Sequence, residues 1–141
     1  MKRDPRLHGL STDHHHALAL VKRIGRDVRG DVAPPDTVAY TRQAFAETVQ
    51  PHFEIEESLL LPALRDVPGG LPLVERTLAD HAAIRSLVAA LDQGANPRTL
   101  LEFAARLHDH VRFEEHELFP TCERLLAPDV LDRVGAHAPK H

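Results

Sequence analysis

One pattern of eleven residues occurs twice in the chain, and it constrains the fold more than any other feature of the sequence. Residues 52–62 and residues 110–120 both read H-x-x-x-E-E-x-x-L-x-P. Residues four apart lie on the same face of a helix, so each copy presents one imidazole and one carboxylate together. A single pair of this kind is common on a solvated helix, whereas two copies with the same downstream residues are hard to obtain by chance. The two pairs are His52 with Glu56 and His110 with Glu114.

The rest of the chain also has the periodicity of helices. Turn-forming residues at 30–36, 68–70 and 94–97 divide it into four long segments, within which apolar residues recur at intervals of three and four. No segment alternates with a sustained period of two, which argues against a strand-rich fold. We expect Ser11 or Thr12 to cap the first helix and Gly30 to end it.

The remaining helices are predicted over about residues 36–65, from Pro72, over about 97–126, and, for a short fifth helix, around 129–135. The second and fourth helices contain internal prolines, at positions 51, 62 and 120. A proline inside a helix removes a backbone hydrogen bond and clashes with the preceding turn. Each proline is therefore expected to kink its helix or break it locally.

Four amphipathic helices joined by short loops fit an all-α fold, an antiparallel up-down-up-down four-helix bundle with a short C-terminal helix. The chain has 141 residues, which is enough for one domain with a substantial core and too few for two ordinary domains. We therefore predict a single domain over 1–141, with the bundle core at about 11–126.

A second repeat links the first and third helices. Asp13-His14 and Asp80-His81 are each followed by apolar residues at offsets of 3, 6, 7 and 10 from the histidine. His14 and His81 are thus in register with an apolar stripe and should point toward the bundle axis. Choosing His15 instead would put a lysine and a glycine on the stripe, so His14 is the better candidate.

Four inward histidines and two inward glutamates call for a chemical explanation. Each could be an individually satisfied core group, but six polar groups left without partners would cost about 1–3 kcal/mol each. A metal removes this cost, and imidazole with carboxylate suits iron, manganese or zinc. If both glutamates bridge, the set supplies two metals with two histidines each and leaves an open position where dioxygen, peroxide or nitric oxide could bind. The candidate ligands are His14, His52, Glu56, His81, His110 and Glu114.

Four further carboxylates lie beside these candidates. Asp13 and Asp80 could accept a hydrogen bond from a ligand histidine, as outer groups at metal sites commonly do, or could merely favour a helix start. Glu57 and Glu115 follow the inward glutamates by one residue and rotate off the axis, so we expect them to face solvent.

Composition restricts the setting in which the protein works. Seventeen basic and twenty-one acidic side chains give a formal net charge of −4, which argues against nucleic-acid binding. The single cysteine cannot form an internal disulfide, which favours a reducing compartment. No run of 18 apolar residues could span a membrane, and no apolar stretch of a signal peptide is visible. We therefore expect a cytoplasmic protein without nucleic-acid or membrane partners.

At the quoted motifs, from Asp13-His14 through Pro120, the sequence resembles the hemerythrin-like (HHE cation-binding) domains. The resemblance implies a non-haem di-iron centre, with the four candidate histidines as terminal ligands and Glu56 and Glu114 as bridges. One position departs from the oxygen-carrying hemerythrins, which place two histidines four apart on the third helix. Here Arg85 follows His81 at that spacing, and Thr77 precedes it. One histidine fewer puts reversible oxygen transport in doubt and implies a more symmetric centre.

The leading hypothesis is a di-iron protein that binds, senses or detoxifies a small oxidant or iron, with zinc or manganese as possible substitutes. A sensor of this size would need a partner protein to transmit its signal. One alternative is a peroxidase- or oxidase-like enzyme at the same centre. Another is a metal-free phosphotransfer or adaptor bundle, which would need only one exposed histidine and leaves the duplicated motif unexplained.

Overall fold

The described part of the chain is helical almost throughout. The computed structural model of the protein describes residues 2–92 and 97–138. Within these ranges there are five long helical spans, and the extended backbone is paired only in an isolated bridge between Arg29 and Val32. The spans are α1 (His8–Asp27), α2 (35–65), α3 (Leu71–Asp92), α4 (97–125) and α5 (Pro128–His137).

These bounds confirm the predicted second, fourth and fifth helices to within a few residues, and α3 includes Pro72 in its first turn. The break predicted at 94–97 lies mostly outside the described residues, although Pro97 is the first residue of α4. Both α1 and α3 pack along α4, while α1 also contacts α2. None of the described helices is long and apolar enough to cross a membrane.

Both predicted ends of the first helix are wrong. A short 3-10 turn at Pro5–Leu7, capped by the Asp4 side chain, leads directly into α1, so the helix begins before Ser11. The chain extends this way because Leu7 and Leu10 are fully buried in the core. At the other end, α1 stops at Asp27 and the next residue is extended. Gly30 does have a positive φ of 56°, but it serves the tight turn that follows.

The internal prolines are associated with π-helical turns rather than with breaks. Such turns occupy Phe45–Val49 and Glu56–Leu60 in α2, and Glu114–Leu118 in α4. Each ends two residues before a proline, and the backbone conformation stays helical on both sides. In each turn the first carbonyl accepts a hydrogen bond from the N–H five residues later, which accommodates the missing proline donor.

The apolar core is divided into two clusters. On α1, Leu10 belongs to one cluster and Ala17 to the other, with His14 between them. On α3, Val74 and Ile84 belong to the two clusters in the same way, with His81 between. The helix α5 covers the first cluster, where it packs on the 3-10 turn and on the second π turn of α2. A polar layer therefore crosses the interior between two apolar regions.

Candidate metal centre

Six buried side chains from four helices form the polar layer. Each of α1 and α3 contributes one histidine, while each of α2 and α4 contributes a histidine and a glutamate. None is more than 5% exposed, and Glu56, His81 and Glu114 are fully buried. His15 is exposed, so α1 directs His14 inward. The structure brings together all six residues named from the sequence: His14, His52, Glu56, His81, His110 and Glu114.

The histidine Nε2 atoms face the two glutamate carboxylates. His14 Nε2 lies 2.7 Å from Glu114 Oε1, and His81 Nε2 lies 3.0 Å from Glu56 Oε1. His52 Nε2 lies 3.1 Å from an oxygen of each glutamate. His110 Nε2 lies 3.1 Å from Glu114 Oε2, one turn away on the same helix. The Nε2 atoms and the carboxylate oxygens therefore share one small volume.

Three atoms in this volume have no hydrogen-bond partner among the described residues. They are Glu56 Oε2, Glu114 Oε2 and His110 Nε2, all buried. Although all three lie 3.1 Å from an opposing atom, the angles do not allow a hydrogen bond. A buried polar atom without a partner costs about 1–3 kcal/mol, and more when it is charged. A bound cation would satisfy such atoms, because carboxylate oxygens and imidazole nitrogens are good ligands for iron, manganese and zinc.

The donor atoms fall into two groups that could each hold a metal ion. Within each group, the donors lie no more than 4.8 Å from one another. Glu114 is a member of both groups, so its carboxylate stands between the two candidate positions. The groups are Glu56, His81, His110 and Glu114, and His14, His52 and Glu114.

An aspartate from the preceding helix fixes the other ring nitrogen of two histidines. His52 Nδ1 lies 3.0 Å from Asp13 Oδ2, and His110 Nδ1 lies 2.9 Å from Asp80 Oδ2. A carboxylate here accepts the Nδ1–H and leaves Nε2 directed into the layer. Each aspartate is therefore the outer partner of a candidate ligand histidine rather than only a residue that favours a helix start.

The two glutamates expected to face solvent do the same for the other pair of histidines, so that expectation was wrong. Glu57 Oε2 lies 2.6 Å from His81 Nδ1, and Glu115 Oε2 lies 2.5 Å from His14 Nδ1. The residue after an inward glutamate is rotated by about 100° around the helix. In this structure that direction leads to the neighbouring helix rather than to water. The doubled glutamate in both copies of the motif was the signal that could have identified them.

All four imidazoles thus have a carboxylate on Nδ1 and face the glutamates through Nε2. The model for the hemerythrin HHE cation-binding domain matches residues 6–122. The chain belongs to this hemerythrin family. Comparison with curated proteins and with solved structures finds no match. The range matched by the family contains the six buried donors and the four carboxylates around them, so cation binding is the function to which this hemerythrin domain is suited.

Two arginines of the hemerythrin domain bind the glutamates that contact the histidine Nδ1 atoms, Glu57 and Glu115. No sequence pattern identifies either arginine as such a partner. Arg85 holds Glu57 through both oxygens, at 2.7 and 3.2 Å, and its Nε donates to Gln50 at 2.9 Å. Arg3 lies 3.2 Å from Glu115 Oε1, although the two residues are far apart in the chain. The Arg85 side chain therefore binds the carboxylate partner of His81 and contributes no donor atom to the polar layer.

The protonation equilibria follow from these contacts. Burial lowers the pKa of His110, but the charge of Glu114 and the hydrogen bond to Asp80 outweigh it and raise the pKa to about 10. Burial also lowers the pKa of His52, but the nearby carboxylates outweigh it and raise the pKa well above its usual value. Burial raises the pKa of Glu115, yet His14, Ser11 and Arg3 together lower it to about 2. Without a metal, these contacts favour protonated His52 and His110 beside the carboxylates, and a cation would replace those protons.

Proposed function

We propose that this hemerythrin-domain protein holds two iron ions in the polar layer and binds a small oxidant there. His14 and His52 would ligate one ion, His81 and His110 the other, and Glu56 and Glu114 would bridge them. The observation that carries this proposal is the pair of donor groups that share Glu114, together with the buried oxygens that have no partner. Two iron ions would supply redox chemistry and an open coordination position for dioxygen, peroxide or nitric oxide.

The protein's own residues would prepare and protect that centre. The four Nδ1 partners hold each imidazole in one orientation and one tautomer, so that Nε2 is available to a cation. The apolar clusters above and below the layer keep bulk water away from it. We also propose that α1–α4 form an up-down-up-down antiparallel bundle, which is supported by the packing of α1 and α3 along α4.

Metal analysis of protein expressed with added iron tests this function. We expect about two iron ions per chain and an absorption band from an oxo-bridged pair, because the six donors suffice for two ions. The double variant Glu56→Gln/Glu114→Gln keeps the side-chain size but removes both bridging charges, so it should lose the metal. The control variant Glu54→Gln/Glu117→Gln changes two exposed glutamates on the same helices and should keep it.

Two results would overturn the proposal. One is protein that is folded by circular dichroism yet free of metal in every preparation. The other is an undiminished metal content in the double variant. If zinc is bound in place of iron even when iron is supplied in excess, the ligand assignment stands and the redox function fails.

A further inference from the structure

The two halves of the centre carry the same polar residues but differ in the apolar residues beside them. The repeat relates α1 and α2 to α3 and α4, so Ala17 corresponds to Ile84 and Val111 corresponds to Phe53. All four are buried. In the folded protein Phe53 lies against His81, whereas Val111 lies near His14. The side of the centre around His81 therefore has the larger side chain at both positions, and the side around His14 has the smaller.

This difference in size changes how closely the space beside the histidines is filled. Phe53 stacks on His81, with the ring centroids 3.7 Å apart and the planes 15° from parallel. His14 stacks on Phe119 at a larger centroid distance of 5.3 Å. Beside His14, the smaller Ala17 and Val111 line a cavity that Phe53 also borders. The centre of a water-sized sphere can move through about 10 Å³ of it, which is about the minimum for a single water molecule. The cavity walls are carbon atoms, a surface that water occupies poorly.

A surface groove lies next to this cavity, between α1 and α2. The groove has a volume of about 190 Å³ and is lined at its outer end by His16, Tyr40 and Glu47. Ala17, Thr48 and Val49 line both the groove and the cavity, so these residues form the wall between them. Two small side chains and one medium one thus separate the surface from the histidines.

The wall depends on a feature that the repeat does not share. Thr48 and Val49 are the last two residues of the π turn Phe45–Val49, which precedes Pro51. The residue equivalent to Pro51 on α4 is Asp109, and α4 is regular α-helix there. A π turn widens the helix locally and displaces its side chains from the regular positions. The groove and cavity therefore lie on the side where α2 carries this additional turn.

We propose that small uncharged molecules enter the centre between α1 and α2, past Ala17 and Thr48, and that this passage selects what the centre binds. This inference rests on the proposed function and narrows its ligand. The passage favours dioxygen or nitric oxide, which are diatomic and need no hydrogen bonds. It disfavours hydrogen peroxide, whose hydroxyl groups would lose their water partners against carbon walls. Ala17 and Thr48 are thus specificity-determining residues.

Dissolved dioxygen under pressure tests the passage directly, because it is paramagnetic and shifts the methyl NMR signals that it approaches. The protein as purified in the presence of zinc is diamagnetic and avoids any redox step. We expect the largest dioxygen-induced shifts at Ala17, Val49 and Val111, above those of equally buried methyls in the other half. Ala17→Ile copies the residue of the other half and should abolish the excess, whereas the matched control Ile84→Leu should retain it.

Rapid mixing of the iron-loaded protein with nitric oxide or dioxygen provides the second measurement. Ala17→Ile should slow association about tenfold because the passage is blocked, while the iron content and absorption band stay unchanged. Thr48→Leu, at the part-buried outer wall, should slow it in the same direction if Ala17→Ile fails to fold. Nitric oxide and dioxygen should both slow, and peroxide should react slowly in every variant.

Equal shifts in both halves of the protein, or unchanged association in a folded blocked variant, would overturn the passage. These outcomes are separate from failure of the proposed function. Protein that lacks iron but shows the excess shifts would retain the passage and lose the di-iron assignment. Protein that holds two iron ions but shows no excess would retain the centre and lose the passage.

Discussion

The stability of the metal-free protein should fall as the pH rises above neutrality. His110 titrates near its usual value of 6.5 when the chain is unfolded, but the pKa is raised to about 10 in the folded state. Between these values the folded state binds a proton that the unfolded state has released. A raised histidine pKa contributes stability that is complete below the unfolded pKa and is lost as the pH rises toward the folded pKa.

The size of the effect follows from linkage. One proton of difference changes the free energy of unfolding by about 1.4 kcal/mol per pH unit, so a rise from pH 6.5 to 8.5 should remove about 2 to 3 kcal/mol. The upward shifts in the pKa values of His14 and His52 act in the same direction. This loss is a large part of the 5–15 kcal/mol that is typical of a folded domain. The buried thiol of Cys122 titrates only above this range.

Urea unfolding followed by circular dichroism, in the presence of a chelator, measures this dependence. His110→Gln removes the titrating group and should flatten the curve, whereas exposed His15→Gln should leave it unchanged. In the metal-loaded protein the sign reverses, because protons compete with the metal for Nε2 and weaken binding as the pH falls. A metal-free stability that is constant or increases between pH 6.5 and 8.5 would refute the charged pairing of the histidines.

Four further substitutions test the packing and the outer contacts. Arg85→Ala should weaken metal binding at the His81 side by about tenfold or more in a metal titration, because Glu57 loses its clamp; Arg85→Lys should restore part of it, and an equal loss in the exposed Arg106→Ala variant would contradict the reasoning. Phe53→Val should lower the free energy of unfolding by about 2–4 kcal/mol in urea titrations, since it opens a buried space against His81; an unchanged stability would show that the stacking is unimportant. Gly70→Ala places a Cβ 1.9 Å from the Leu64 carbonyl oxygen and should cost about 1–3 kcal/mol. Gly25→Ala meets nothing within 4 Å and should gain about 0.5–1 kcal/mol in the same urea titrations. Equal effects of the two glycine substitutions would refute the clash.

The six inner donors could be predicted from the sequence because helical periodicity alone determines which residues share a face. His14 was preferred over His15 on the register of its apolar stripe, and the structure buries His14. The start of α1 could not be predicted in the same way. Ser11 is a residue type that commonly caps helices, but here its hydroxyl donates a hydrogen bond to Glu115 of α4 at 2.8 Å. No local sequence pattern reveals this contact.

The outer partners show where prediction from periodicity ends. A side chain that is rotated by about 100° around its helix, away from the bundle axis, points either to water or to a neighbouring helix. Only the packing of the helices decides between the two. Periodicity alone therefore predicts that Glu57 and Glu115 face solvent, although each binds a histidine from another helix. Arg3 reaches Glu115 across almost the whole length of the chain, so neither spacing nor composition connects the two residues.

The division of the apolar core by the polar layer has a consequence for how the protein unfolds as a unit. Each apolar cluster is continuous within itself, while much of the connection between them runs through the imidazoles and carboxylates at the level of His14 and His81. A metal bound in this layer would tie the two ends together and suppress the local opening of either one. Without it, the end covered by α5 and the opposite end should exchange their amide hydrogens with distinct protection, although the helices that run through both clusters keep global unfolding a single transition.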